Sequence, residues 1–144
     1  MASFLPDTSC MIAAISSWHN HHERARLEIE NRLGRHQEMV VAGPALIEAY
    51  SVLTRLPSPH RIAPADARSL LEANFLEGVK VVALGAAAYG ILLRRAPEDD
   101  ISGGHAYDAV IAACARKARV NALLTFNERH FQPFAGDDLE IIVP

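Results

Sequence analysis

Three acids and one carboxamide, each in a short and mostly apolar setting, carry the chemistry open to this chain: Asp7 in FLPDTS, Glu48 in PALIEAY, Asp108 in HAYDAVIAA and Asn127 in LLTFNERHF. Oxygen-only donors of this kind suit a hard divalent cation such as Mg2+ or Mn2+, which keeps several waters and favours phosphate ligands. Carboxylates gathered at one point repel, so without a cation at least one of them is expected to hold its proton more tightly than usual. The reaction such a set predicts is phosphodiester hydrolysis. A metal there orients and activates a water and stabilises charge on the phosphate and the leaving oxygen.

Residues so distant in sequence meet only if the fold brings them together. The pattern predicts a first strand at Ser3–Pro6, helices over 8–16 and 21–33 with Gly34 closing the second, and a second strand over 39–42. Gly43-Pro44 opens a helix whose predicted apolar face is Leu46, Ile47, Tyr50 and Leu53, and Leu56-Pro57-Ser58-Pro59 ends it. A helix over 64–76 leads to a β-branched third strand at 79–83. A helix over 85–95 follows, then a Pro- and Gly-containing loop over 96–104. Residues 105–118 read as helix, 122–125 as a fourth strand and 139–143 as a final one.

Strands separated by helices predict an α/β fold: one domain over 1–144, with a parallel sheet of four to five strands and helices on both faces. Ligands in such sheets lie beyond the carboxyl ends of the strands. Asp7 directly follows the first strand and Asn127 follows the fourth by two residues. Glu48 lies in the first two turns of the helix after the second strand, and Asp108 in the first turn of the helix feeding the fourth. All four are therefore expected on one rim.

Each has a plainer reading alone. Asp7 can be a helix N-cap, Asp108 can complement a helix N-terminus for about 0.3–1 kcal/mol, and Glu48 can sit on a solvated face. The helix bearing Asp108 is nearly apolar all round, through Ala106, Ala109, Val110, Ile111, Ala112, Ala113, Cys114 and Ala115. An ionised carboxylate there costs several kcal/mol unless compensated, and a cation would compensate it. The conjunction at one edge favours a site.

The 144 residues are 50% hydrophobic and 22% charged, an ordinary globular balance. A net charge of −3 speaks against nucleic-acid binding by a general positive field, while leaving room for a local basic rim. Arg55 lies two turns beyond Glu48 on the same face; Arg94, Arg95, Arg116 and Arg129 are further candidates. The opening MASFLPDTSC lacks a basic stretch followed by an apolar one, so a cytoplasmic protein is expected. The longest apolar run, 81–93, is too short to span a bilayer and reads as a strand followed by a buried helix.

Cys10 and Cys114 read as small buried thiols. Trp18-His19-Asn20-His21-His22 invites a zinc reading. Without cysteine, and with His21 and His22 about 100° apart on a helix, they make poor co-ligands. Asp99 and Asp100 read as solvated turn acids, His105 as a helix cap, and His130 is assigned no catalytic role.

Taken together, FLPDTS, an acid in the helix after the second strand, GGHAYDAVIAACAR and LLTFNERHF followed by a terminal strand resemble a PIN-domain ribonuclease, specifically the VapC-type toxin of a type II toxin-antitoxin pair. The resemblance runs the full length. It implies an endoribonuclease that cuts RNA with Mg2+ or Mn2+. Asp7 and Asp108 would hold the metal, Glu48 and Asn127 would join them directly or through water, and Thr8 or Thr125 would add a hydroxyl nearby. It also implies a homodimer, and an antitoxin whose helical segment packs into an apolar groove formed by the early helices and the third. No membrane partner is implied.

Asn127 occupies a position that is often Asp in the family, so the site carries one negative charge fewer. The expectation is one well-bound metal and a second that is weak or arrives with substrate, with Glu128 able to compensate in part. Two other classes stay open. Asp7 as nucleophile of a haloacid dehalogenase-like phosphatase would need an aspartate two residues later, where this chain has Ser9. A catalytically weak member acting as a binding module draws its support from Asn127.

Overall fold

The computed structural model describes residues 1–144. Five strands form one all-parallel sheet: β1 (Ser3–Pro6), β2 (Glu38–Ala42), β3 (Lys80–Val82), β4 (Ala122–Leu124) and β5 (Glu140–Ile142), in the order β3-β2-β1-β4-β5. Parallel neighbours need long crossovers. These are supplied by α1 (Thr8–Ile15), α2 (His22–Gly34), α3 (Gly43–Arg55), α4 (Pro64–Phe75), α5 (Ala86–Arg95), α6 (His105–Lys117) and α7 (Glu128–Phe131), with a 3-10 turn at Gln132–Phe134. All four residues of β1 are buried, so both faces of the central strand are covered.

The strand order locates the ligand edge. From β1 the chain builds outward through β2 to β3, then crosses back to lay β4 on the other flank of β1. The connections leaving β1 and β4 therefore diverge and open a crevice beyond their carboxyl ends, where open α/β sheets bind ligands. Asp7 and Thr125 are the residues that follow these two strands.

One core of 27 buried residues holds the sheet to its helices, with Phe4, Phe75, Phe131, Leu5, Met11 and Leu53 among its largest members. The predicted elements form close to their predicted bounds. Gly34 ends α2 as its last residue, and the left-handed backbone expected of a glycine stop falls on His36 (φ 63°) instead. The segment α7 was missed by periodicity, since four residues are too few to show one. The fully buried Phe131 pins it.

Two packing expectations are corrected. The buried stripe of α3 is Ala45, Ala49 and Leu53, while Ile47 is 73% exposed and Tyr50 also faces solvent. Of the predicted face Leu53 is buried and Leu46 packs against the core, while the small side chains of Ala45 and Ala49 let the helix approach its neighbours closely and leave Ile47 and Tyr50 outside. The second concerns α5, which has no buried residue at all; Leu93 is 76% exposed. It follows the edge strand β3 and shares with α6 a crevice of about 210 Å³ walled by Tyr89, Leu92, Ala106 and Ala109, among others. No helix is long and apolar enough to cross a membrane.

Candidate active site

Asp7 is fixed by the end of β1 and the start of α1. Its backbone N–H extends the β1–β4 pairing by donating to the Leu124 carbonyl (2.9 Å), and its extended φ and ψ of −76° and 178° turn the chain into α1. The side chain caps that helix: Oδ1 accepts from the Cys10 N–H (2.9 Å) and the Ser9 hydroxyl (2.6 Å). Oδ2 accepts the hydroxyl of Thr125 (2.6 Å), a residue wholly buried beyond β4. Thr125 Oγ1 accepts in turn from the Asn127 N–H (2.8 Å), and Ser9 Oγ from the Phe126 N–H (3.1 Å). The capping and site readings of Asp7 describe one arrangement.

This carboxylate is 2% exposed and pairs with no basic side chain. Burial pushes its pKa up to about 6, against the pull of hydrogen bonds from Ser9, Thr125 and Cys10, and the nearby charge of Asp108 adds to the rise. A proton is the default counterion of such a group, and a cation is the alternative.

Glu48 comes in from α3, where Oε2 accepts the hydroxyl of the buried Thr8 (3.1 Å). Thr8 thus joins the first residue of α1 to α3 and orients an acid. Asp108 stands in the first turn of α6 with its side chain 18% exposed, and Oδ2 accepts from His130 Nδ1 (2.9 Å). Its pKa is raised by burial and drawn back by this hydrogen bond. Asn127 is exposed and held through its backbone; its carboxamide makes no hydrogen bond within the chain.

Asp7 thus reaches Thr125 and feels Asp108, and Thr8 ties in Glu48. No three carboxylate, imidazole or thiolate groups stand at the spacing of a closed metal cage. A hard cation that keeps most of its waters is held by one or two carboxylates plus substrate phosphates, and this open set of oxygen donors beside an unbalanced buried carboxylate fits one.

The basic residues divide. Arg55 shares with Glu48 a cleft of about 540 Å³ also lined by Ser51, Tyr107 and Val110. Arg95 and Arg116 line another crevice, of about 570 Å³, against a different face of α6, where Arg95 reaches Asp99 (3.6 Å) and Arg116 donates to the Phe134 carbonyl. They form no single rim with Arg55. Arg94 and Arg129 are exposed.

His130, assigned no catalytic role from the sequence, makes a contact that the sequence did not indicate: it is the hydrogen-bond partner of Asp108. His105 does not cap its helix; its Nε2 donates to the His130 carbonyl (2.8 Å). Tyr107, next to Asp108 and 67% exposed over the Glu48 cleft, was also missed. Its one sequence signal is an aromatic ring on a helix start that an all-apolar face does not need. The histidine run forms stacks instead of a cage: Trp18 on His60 and His21 on Phe126, with ring centroids 4.1 and 4.4 Å apart. Burial pushes the thiols of Cys10 and Cys114 up.

A family model described as PIN domain matches residues 4–136. Ribonuclease VapC40 of Mycobacterium tuberculosis is 39% identical over 122 residues, 82% of each chain, and Ribonuclease VapC27 of the same organism is 40% identical over 84 residues, covering 58% of this chain and 59% of that one. Among solved structures, Mycobacterium tuberculosis VapC20, titled a sarcin-ricin loop cleaving toxin, superposes with a TM-score of 0.70 at 18% identity over 91% of this chain and 95% of that one. DNA-bound VapBC from Salmonella typhimurium gives 0.66 at 22% identity over 99% and 98%.

Proposed function

This chain belongs to the PIN-domain family, and we propose that it is a divalent-metal-dependent endoribonuclease of the VapC type, the toxin of a type II toxin-antitoxin pair. The observation that carries the reading is Asp7: a buried carboxylate with no cationic partner, at the crevice where strand order reverses, with Glu48 and Asp108 on the same edge. Keeping such a group ionised without compensation is costly, and a fold that maintains it is consistent with a cation supplied from outside.

Asp7 and Asp108 are the residues proposed to hold the ion, with Glu48 and the Asn127 carbonyl reaching it directly or through water. When bound, Mg2+ or Mn2+ supplies an activated water and stabilises charge on the phosphate and the leaving oxygen. The chain's own contribution is orientation. Three hydrogen bonds fix both Asp7 oxygens, so no rotamer entropy is left to lose on binding. Thr8 holds Glu48 at the mouth of the cleft, where Arg55 is placed to neutralise a backbone phosphate and the exposed Tyr107 ring offers a stacking face to an unpaired base.

With Asn127 supplying a neutral oxygen, one ion is expected to bind well and a second weakly or with RNA. The antitoxin and a second copy of the chain are proposed as protein partners, on the strength of the VapBC complexes among the structural relatives. Asn127 favours one other reading, a catalytically weak RNA- or protein-binding module.

Cleavage of labelled structured RNAs by the purified protein, with Mn2+ or Mg2+ against EDTA, tests the proposal. Metal-dependent cutting that falls at least about a thousandfold in an Asp7→Ala, Asp108→Ala double variant is expected, equivalent to the several kcal/mol a catalytic metal supplies. RNA bound without cleavage, by folded protein free of antitoxin, would move the assignment to the binding module.

A further inference from the structure

His130 stands third after Asn127 in α7, and its ring Nδ1 lies 2.9 Å from Asp108 Oδ2. A carboxylate brings no hydrogen to that contact, so the imidazole donates it, which places a hydrogen on Nδ1. The backbone of the same residue is tied down separately. Its carbonyl accepts from His105 Nε2 at 2.8 Å, and His105 lies one turn before Asp108 on α6. Two hydrogen bonds therefore cross between the first turn of α6 and a single residue of α7. The first of them is the single hydrogen bond to the Asp108 carboxylate, and the second holds the backbone of the residue that makes it.

Asp108 needs such support. No other hydrogen bond reaches its carboxylate, whereas Asp7 has three. The His130 contact occupies Oδ2 and leaves Oδ1 without an intramolecular partner. α7 itself is one turn long and has no side-chain cap; the buried Phe131 and the His105 contact keep it in place.

Resting on the metal-dependent reading above, we propose that His130 is a positioning residue: its Nδ1–H fixes the rotamer of Asp108 so that Oδ1 is presented to the divalent ion, with His105 holding His130 in register. Hydrogen-bonding partners that orient metal ligands in this way typically set affinity by about ten- to a hundredfold.

The test compares wild type, Asp108→Asn, His130→Leu and His130→Asn by calorimetric titration with Mn2+ and by RNA cleavage across Mn2+ concentrations, with thermal unfolding as the fold control. Asparagine puts an N–H donor where Nδ1 was, and leucine puts none. His130 is 55% exposed, so both variants are expected to fold. His130→Leu should bind Mn2+ about tenfold more weakly and regain cleavage when Mn2+ is raised, while His130→Asn should stay within about threefold of wild type.

Leucine at position 130 with wild-type Mn2+ affinity would overturn the proposal. So would an asparagine variant that keeps that affinity but cuts as poorly as the leucine one, because the ring would then be acting on RNA through Nε2. Wild type that neither binds Mn2+ nor cleaves, indistinguishable from Asp108→Asn, would instead overturn the proposed function and this inference with it.

Discussion

Asp7 and Asp108 present the same functional group to one edge of one sheet under opposite regimes. Asp7 is buried at the end of the central strand, with both oxygens engaged by two hydroxyls and a backbone N–H from β1's own turn and from the segment after β4. Asp108 starts a helix, remains partly exposed, and has a single partner that is itself more than half exposed. Where a strand end supplies the position, main-chain pairing and the core determine the side chain's geometry. Where a helix start supplies it, a reaching side chain from elsewhere must do so. The first kind of support cannot be altered without touching the fold, and the second can.

The largest effect that would break this contrast lies in the pH dependence of the metal-free protein. Asp7 has a folded pKa raised from 3.8 to about 6, so the native state holds the proton more tightly than the unfolded chain. The stability this contributes is fully present below the unfolded value and is lost as pH rises through about 6. The loss amounts to about 3 kcal/mol between pH 3 and pH 7, at 1.36 kcal/mol per pH unit. In EDTA, urea unfolding of Asp7→Asn should lack this component. Equal slopes for variant and wild type would show that Asp7 is solvated, as Asp108 partly is.

A smaller effect separates the two supports directly. Thr125→Val keeps the shape of a wholly buried residue but removes the donor to Asp7 Oδ2 and the acceptor for the Asn127 N–H. The cost should be about 1–3 kcal/mol at pH 7. His130→Leu, on the exposed side, should stay within about 0.5 kcal/mol of wild type. Chemical denaturation of the pair measures both, and equal losses would erase the distinction.

The smallest effect sharpens the comparison between them. Asn127→Asp adds a charge at an exposed position between Thr125 and His130, and should tighten Mn2+ binding about tenfold by calorimetry without altering stability. Unchanged affinity would mean that position 127 faces away from the ion.

Much of this was legible in the chain itself. Alternating apolar runs and helical stretches specify a parallel α/β sheet, because parallel strands demand crossovers. The position of Asp7 directly after a strand and of Glu48 and Asp108 at helix starts specifies their common edge. The PIN resemblance, carried by four short motifs, agrees with the family match over residues 4–136. The outward turn of α3 was not legible, because Ala45 and Ala49 are as compatible with a surface as with a tight core contact. Nor was the exposure of α5, whose apolar sequence resembles that of a buried helix until β3 is known to be an edge.

By itself, then, the sequence determined which acids are candidates for the chemistry and which edge of the sheet they occupy, since the edge follows from local periodicity and the direction of parallel strands. Only the tertiary structure decided how each acid is held. The Thr125 hydroxyl reaches Asp7 across 118 positions, the Thr8 hydroxyl reaches Glu48 across 40, and the His130 ring reaches Asp108 across 22. Contacts of that range arise from packing and leave no periodic trace in the chain, which is why nothing in NERHF indicated that His130 would meet Asp108.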